Sequence, residues 1–308
     1  MIKDLKENTR IQMNLLVSQA TKGVTTNGGA YLNVSFQDAS GTIEGRKWEL
    51  VEGDSELFVA GNIIDVKADV IEYRGVLQLK IISGSEVNSA DIEISDFVAS
   101  APEPRELLQR KLLGYVNSIT HPEIKQVVET IVKKDFMQIS VYPAASRNHH
   151  EYASGLIHHT VGMLDCAKAI SAVYPSIDTN YLYAGIILHD LGKLAELSGP
   201  ILPHYTMQGK LLGHISIMSA RISETCTKLN ISSEVTVLLQ HMILSHHGAH
   251  EYGSPVLPLT REAEVLTAID NLDARLNMID KALKGVNEGE FTPRIPSLEQ
   301  RTFYKPKK

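Results

Sequence analysis

The sequence predicts a multidomain protein, an N-terminal all-β barrel followed by an all-α helical bundle, and three observations carry that expectation. Up to about residue 88, apolar residues alternate in short runs broken by Gly and Asx turns, which is the period of half-buried strands. From Arg105 to about Leu283 the apolar spacing changes to three and four, the period of amphipathic helices. Between them, residues 89–104 are rich in Ser, Ala, Asp and Pro and carry Pro102-Glu103-Pro104, the composition of a linker. The expected boundaries are therefore 1–88 for the barrel, 89–104 for the linker, 105–290 for the bundle and 291–308 for a basic C-terminal tail. A chain of 308 residues with 43% apolar and 21% charged residues is long enough for two such cores.

In the first part, a strand run holding Leu15, Val17 and Gln19 is followed by the turn Asn27-Gly28-Gly29 and a second strand, Ala30 to Phe36. Asp38-Ala39-Ser40-Gly41 closes a hairpin into Thr42 to Trp48, because Gly and Asx residues supply the backbone angles of a tight turn. A short helical stretch over Val51 to Phe58 precedes two more strands, Asn62 to Glu72 and Val76 to Ile82, joined by Tyr73-Arg74-Gly75. Five strands with a helix between the third and fourth is the order of an OB-fold, a small barrel that often binds oligonucleotides across its second and third strands. The segment LLVSQATKGVTTNGGAYLNVSFQDASGTIEGRKW also resembles nucleic-acid-binding members of that fold. On this reading Tyr31, Phe36 and Trp48 stack on bases, with an inward place in the barrel core as the alternative for each ring, while Arg46, Lys47 and Arg74, with Lys80, meet phosphates. Trp48 ends a strand just before the helix and is expected in the core or at the rim.

A net charge of −6 and a pI near 6.1 argue against a protein that coats nucleic acid by bulk electrostatics, leaving room for a local basic groove. Cys166 and Cys226, the only cysteines, sit in apolar helical patterns and are expected as buried small hydrophobes. No apolar run approaches the length of a membrane span, and MIKDLKENTR lacks the apolar core of a leader, so a cytoplasmic protein with no membrane partner is expected.

The helical pattern predicts helices near 105–119, 122–134, 154–174, 178–190, 206–229, 232–247 and 260–284. Six histidines and two aspartates recur along them: His158-His159, His189-Asp190, His214, His246-His247 and Asp270. Imidazoles and carboxylates on separate helices suit a divalent transition metal held at the centre of a bundle, and Asp190, directly after His189, can bridge two ions. Gly192 and Gly248 follow the two pairs and are placed to cap helix ends, leaving the ligands at the rim of a cavity.

These residues resemble the HD-domain metal-dependent phosphohydrolases in GLIHHTVGML, ILHDLGK and LTAIDNLD, while His214 in KLLGHISIM and His246-His247 in LSHHG resemble the subset that holds two metals. With an OB-fold in front and the segment PAASRNHHEYASGL, the whole chain resembles the YhaM-type 3'-to-5' exoribonucleases. The resemblance implies His159, His189, Asp190, His214, His246, His247 and Asp270 as ligands of two divalent ions, most simply Mn, with Fe, Co or Zn fitting the same donors. His247 has phosphate contact as its alternative, His158 is a neighbour of the ligand His159, and Asp273 competes with Asp270, which the family pattern favours. Asp190 serves catalysis together with Lys193, which is placed to reach a phosphate oxygen as a mobile point charge, a solvated helix-end lysine being the alternative. Arg147, Asn148, His149 and His150 form a polar loop ahead of the first ligand helix and are expected to contact substrate. The remaining histidines, His121, His204, His241 and His250, are expected to be structural, and the basic tail to lie on RNA, pack on a neighbouring subunit or fray.

The function implied is hydrolysis of single-stranded RNA, and of single-stranded DNA as a further substrate, from the 3' end by a homo-oligomer. The alternative is an HD-type phosphohydrolase of small nucleotides such as dNTPs, cyclic dinucleotides or alarmones, against which the barrel argues because a mononucleotide needs no strand guide.

Overall fold

The computed structural model describes residues 1–25, 28–88, 92–145 and 152–307, so Asn27 of the expected first turn and the whole of the Arg147, Asn148, His149 and His150 loop lie outside the described residues. The chain forms two compact units, Met1–Ser100 and Ala101–Lys308.

In the first unit, β1 (Arg10–Val24), β2 (Ala30–Asp38), β3 (Gly41–Lys47), β4 (Ile63–Tyr73) and β5 (Val76–Glu86) close into a barrel in the order β1-β2-β3-β5-β4, which is OB topology. Strand β3 meets β5 in parallel and β4 closes antiparallel on β1. The helix between β3 and β4, α1 (Asp54–Leu57), is shorter than the expected Val51 to Phe58.

Side chains alternate faces along a strand, and that alternation decides three expectations. Leu32, Val34 and Phe36 share the inner face of β2; Phe36 is fully buried with its ring edge-on to Phe58, so no base can reach it. On β3, Ile43, Gly45 and Lys47 point inward, and Lys47 is buried, with Nζ donating to Glu49 O and lying 3.6 Å from the buried Asp54 carboxylate. It is thus spent on an internal ion pair rather than on phosphate. Trp48, one position on, falls on the outer face and is 43% exposed, which removes the core from its two expected places and leaves the rim. Part of the expected linker also packs on the barrel: Phe97 is buried, and the Ala39 N–H donates to Asp96 O at the β2–β3 turn.

The second unit comprises α2 (Arg105–Ser118), α3 (Pro122–Val141), α4 (Gly155–Val173), α5 (Thr179–Leu188), α6 (Lys193–Glu196), α7 (Met207–Leu229), α8 (Ser233–Ser245) and α9 (Arg261–Lys284). One apolar cluster joins them, including Leu112, Val128, Leu156, Ile186, Leu239 and Leu266. Helix α3 runs to Val141, past the expected 134, because Ile139 continues its buried stripe beyond Lys133-Lys134. Helix α5 starts where the Asp178 carboxylate accepts from Asn180 N, and Leu182 through Leu188 are all buried. A helix apolar on all sides belongs at the centre of a bundle, so its far end delivers His189 and Asp190 to the interior.

The basic tail is folded rather than frayed. Thr292 and Leu298 are buried, isolated bridges pair Phe291 with Tyr304 and Ile295 with Arg301, and Lys305 Nζ donates to Leu283 O and Val286 O at the end of α9. A lysine there satisfies carbonyls that a helix terminus leaves open. Cys226 is buried as expected, whereas Cys166 faces outward on α4. Among the described residues, no helix is long and apolar enough to cross a membrane.

Candidate metal centre and nucleic-acid surface

Four helix segments converge where α5 ends. His159 comes from the second turn of α4, His189 and Asp190 from the end of α5, His246 and His247 from the end of α8, and Asp270 from the middle of α9. His214 reaches them through a break in α7, where Gly213 has φ 70° and ψ 154°. That region of backbone space is essentially closed to residues with a Cβ. The break frees the His214 N–H from helical bonding, and it donates instead to Glu196 Oε1 at 3.0 Å. Gly192 corrects another expectation: it is not a C-cap but has right-handed helical φ at the start of α6, and a Cβ on it would lie 2.1 Å from His214 O. Its role is to let two backbones touch. Gly248, with φ 78°, does take the left-handed conformation after α8.

Two groups of donors result. The ligand atoms of His159, His189 and Asp190 lie within 4.8 Å of one another, as do those of His214, His246 and His247. Asp190 stands between them with one oxygen toward each group. Its Oδ2 is 3.4 Å from His189 Nε2 and 3.9 Å from His159 Nε2, while Oδ1 is 3.5 Å from His214 Nε2 and 3.9 Å from His246 Nε2. Asp270 Oδ1 lies 3.2 Å from His159 Nε2 on the first side.

Every one of these imidazoles is held from behind. His159 Nδ1 donates to Asp273 Oδ2 at 2.6 Å, His189 Nδ1 to Ile186 O at 2.8 Å, and His246 Nδ1 to Ile243 O at 2.7 Å. His214 Nδ1 donates to Glu196 Oε1 at 3.1 Å and His247 Nδ1 to Tyr252 O at 2.7 Å. Placing the proton on Nδ1 puts the lone pair on Nε2, facing the centre, which is how metal-ligating histidines are commonly oriented. Asp273 therefore sits behind His159, and Asp270 in front of it. The ordinary spacing of Glu196 gives no sequence signal for its place behind His214.

The donors fit divalent cations. Among the described residues, His189 Nε2, Asp190 Oδ1, His214 Nε2 and His246 Nε2 are buried with no hydrogen-bond partner. Buried acceptors are ordinarily satisfied, and four orphaned lone pairs gathered in these two neighbouring groups call for something that accepts electron density. Burial alone would lower the His159 pKa, but the Asp270 and Asp273 carboxylates raise it to about 10, so a cation on this side would have to displace the proton from Nε2. Burial opposes ionisation of Asp190 and Asp270, yet Lys193 and His189 hold Asp190 well below the usual carboxylate range, and His159 and His189 do the same for Asp270. Burial beside His189 and His247 keeps His246 neutral, as a ligand must be.

A cavity of about 480 Å³ opens from this centre, lined at its inner end by Asp190, Lys193, His246, His247 and Asp270. Lys193 is neither solvated nor mobile: it is buried, with Nζ donating to Asp190 Oδ2 at 2.6 Å. His158 is turned aside, its Nδ1 2.7 Å from the Tyr152 hydroxyl. Of the histidines expected to be structural, His204 pairs with Ser198, His241 accepts from Leu259 N and His250 Nδ1 lies 3.0 Å from Ser254 O. Sequence reading missed Asn271, Arg275 and Glu299, which line the outer cavity.

On the barrel, Tyr31 and Trp48 stack with ring centroids 4.9 Å apart. Arg46 Cζ lies 5.7 Å from the Trp48 ring and 5.8 Å from that of Tyr73, and Arg74 Cζ lies 5.2 Å from Tyr73. Of the residues expected to meet a strand, Tyr31, Trp48, Arg46 and Arg74 are thus gathered on the outside of the barrel, joined by Tyr73.

Residues 156–275 match the HD domain family model. The solution NMR structure of the second OB-fold domain of replication protein A from Methanococcus maripaludis is 18% identical, covers 30% of this chain and 97% of that one, and has a TM-score of 0.23. Over 298 residues the chain is 47% identical to the 3'-5' exoribonuclease YhaM of Geobacillus sp. (strain WCH70), covering 96% of this chain and 92% of that protein. It is 45% identical to the 3'-5' exoribonuclease YhaM of Bacillus subtilis (strain 168), covering 96% and 95%. Identity of that order along almost the entire length places this chain in the YhaM family of 3'-5' exoribonucleases.

Proposed function

We propose that the protein is a metal-dependent 3'-to-5' exoribonuclease that hydrolyses the terminal phosphodiester of single-stranded RNA, and of single-stranded DNA as a further substrate, releasing 5'-nucleotides. The observation that carries the reading is Asp190 between two groups of imidazole donors, one carboxylate oxygen toward each. His159, His189, Asp190 and Asp270 would hold one divalent ion, and Asp190, His214, His246 and His247 the other. Mn is the ion we assign, with Fe, Co and Zn compatible with the same donors.

Divalent ions at such a centre supply Lewis acidity, acidifying a water and neutralising charge that develops on the phosphate. The protein's own contribution is preorganisation. Five Nδ1–H bonds fix the imidazoles in one tautomer, so no ring reorients during turnover. Lys193, buried at the inner end of the cavity, adds a fixed positive charge where phosphate oxygens enter. The Tyr31–Trp48 stack with Arg46 offers faces for bases and a cation for the backbone, a combination that holds single strands without reading their sequence. Self-association belongs to the same reading, and sedimentation of the full chain tests it.

A metal-reconstituted digestion of 5'-labelled and 3'-labelled RNA, with product identification, tests the function. Stepwise shortening of the 5'-labelled strand with release of 5'-nucleotides is expected, and Asp190→Ala should abolish release while RNA binding stays nearly intact. Cleavage confined to free nucleotides would instead establish a small-nucleotide phosphohydrolase.

A further inference from the structure

The cavity wall on α9 is a single stripe, Thr267, Asp270, Asn271, Ala274, Arg275 and Met278, running outward from the metal centre. Arg275 lies five residues beyond Asp270, roughly 7.5 Å along the helix axis, on the scale of one nucleotide of an extended strand. Opposite it stands Glu299, from the folded C-terminal segment. Arg275 Nη1 and Nη2 donate to Glu299 Oε1 and Oε2, both at 2.9 Å, and Arg301 Nη2 lies 2.7 Å from the same Oε2. Two guanidiniums against one carboxylate leave one net positive charge at the mouth of a cavity whose inner end holds Asp190 and Asp270.

An anchoring role does not account for this arrangement. The three side chains are 32%, 57% and 51% exposed, so solvent screens the attraction that this bidentate pair and its second arginine could lend to stability. The tail is already held by buried Thr292 and Leu298 and by Lys305 on α9. Yet Glu299 and Gln300 both take left-handed backbone, φ 52° and 59°, a costly conformation for residues with side chains. Backbone strain of this type collects where a side chain must be aimed. What Glu299 aims is the Arg275 fork, whose Nε–H donates to no described residue and whose planar donor set matches phosphate.

We propose that Arg275, oriented by Glu299 and supplemented in charge by Arg301, is a binding site for the RNA phosphate next to the scissile one, so that the C-terminal segment completes the substrate cavity and registers the strand by one nucleotide. The inference rests on the exoribonuclease reading, and its test separates the two. Two RNA oligomers are compared, one all-phosphate and one carrying a neutral methylphosphonate at the second linkage from the 3' end. Binding is read by fluorescence anisotropy with metal chelated, and removal of the terminal nucleotide is timed after metal is restored.

Neutralising that linkage should weaken wild-type binding roughly tenfold, the worth of one charge-assisted contact, and slow trimming at limiting substrate in proportion. Arg275→Ala should bind both oligomers alike, because the partner of the deleted charge is gone. Glu299→Gln should keep part of the difference, expressed in KM rather than kcat. Equal binding of both oligomers by wild type, or a tenfold loss persisting in Arg275→Ala, would overturn the subsite. Should Arg275→Ala fail to fold, Arg275→Gln carries the same comparison. A failure of the enzymatic reading looks different, since wild type would then trim neither oligomer.

Discussion

Replacing Glu196 by Ala tests whether the centre is built from behind its ligands. The carboxylate is buried, and its Oε1 accepts both the His214 N–H at 3.0 Å and His214 Nδ1 at 3.1 Å. Truncation leaves both donors without a partner at the break in α7, and Gly213 allows the ring to swing because no side chain at that position restrains the backbone. A lost hydrogen bond to a charged group costs about 1.5–3 kcal/mol. Outer partners of metal-bound histidines are worth roughly 10- to 100-fold in metal affinity, which is about 1.4–2.7 kcal/mol and agrees with one of the two bonds acting on the ring. Only the ion facing His214, His246 and His247 should weaken, because His159 and His189 lean on Asp273 and Ile186 instead. Titration of metal-stripped protein with Mn, read by calorimetry, should resolve one unchanged and one weakened site. Glu196→Gln, which retains an acceptor, should fall between wild type and Ala. Two sites of undiminished affinity in Glu196→Ala would refute the reasoning, and so would equal loss at both.

The remaining predictions concern the scaffold and the strand surface. Gly213→Ala places a Cβ at φ 70°, ψ 154°, which should cost about 1–3 kcal/mol by thermal unfolding and weaken the same ion as Glu196→Ala. Trp48→Ala removes half of an exposed stack, so affinity for single-stranded RNA measured with metal chelated should fall by about 1–3 kcal/mol per base lost, without a change in melting temperature beyond a degree or two. Lys47→Met, in contrast, strands the buried Asp54 carboxylate, should destabilise the barrel by roughly 3 kcal/mol in denaturant unfolding, and should leave RNA affinity of the folded protein unchanged.

The candidate ligands were legible in the sequence because each histidine closes or punctuates an apolar helical run, where a polar residue that offers a lone pair has no packing reason to be. Glu196 carried no such mark, and Asp273 only that of a carboxylate competing with Asp270 for the ligand position. Each is an acidic residue at an unremarkable spacing, and only the tertiary convergence of α6 on α7 and of α9 on α4 gives it a ring to hold. The barrel errors have a simpler cause. Strict period-two reading groups Phe36 with Leu32 and Val34, and Lys47 with Ile43 and Gly45, which removes both from the strand surface and sends Trp48 outward. Residue type outweighed parity there. Arg275 escaped notice because an arginine eight residues along the inner stripe from Thr267 becomes meaningful only once the tail returns beside it.

Helices α5 and α8 each finish on a histidine whose ring turns back to a main-chain oxygen three residues upstream, Ile186 for one and Ile243 for the other. Those oxygens belong to the last turn, where the backbone runs out of amides to offer. A single bond thus seals the coil and sets the angle of the imidazole. Steadiness of the terminal turn and readiness of the nitrogen become one quantity, so a substitution that merely loosens either coil, touching no ligand, would still dull the grip on its ion.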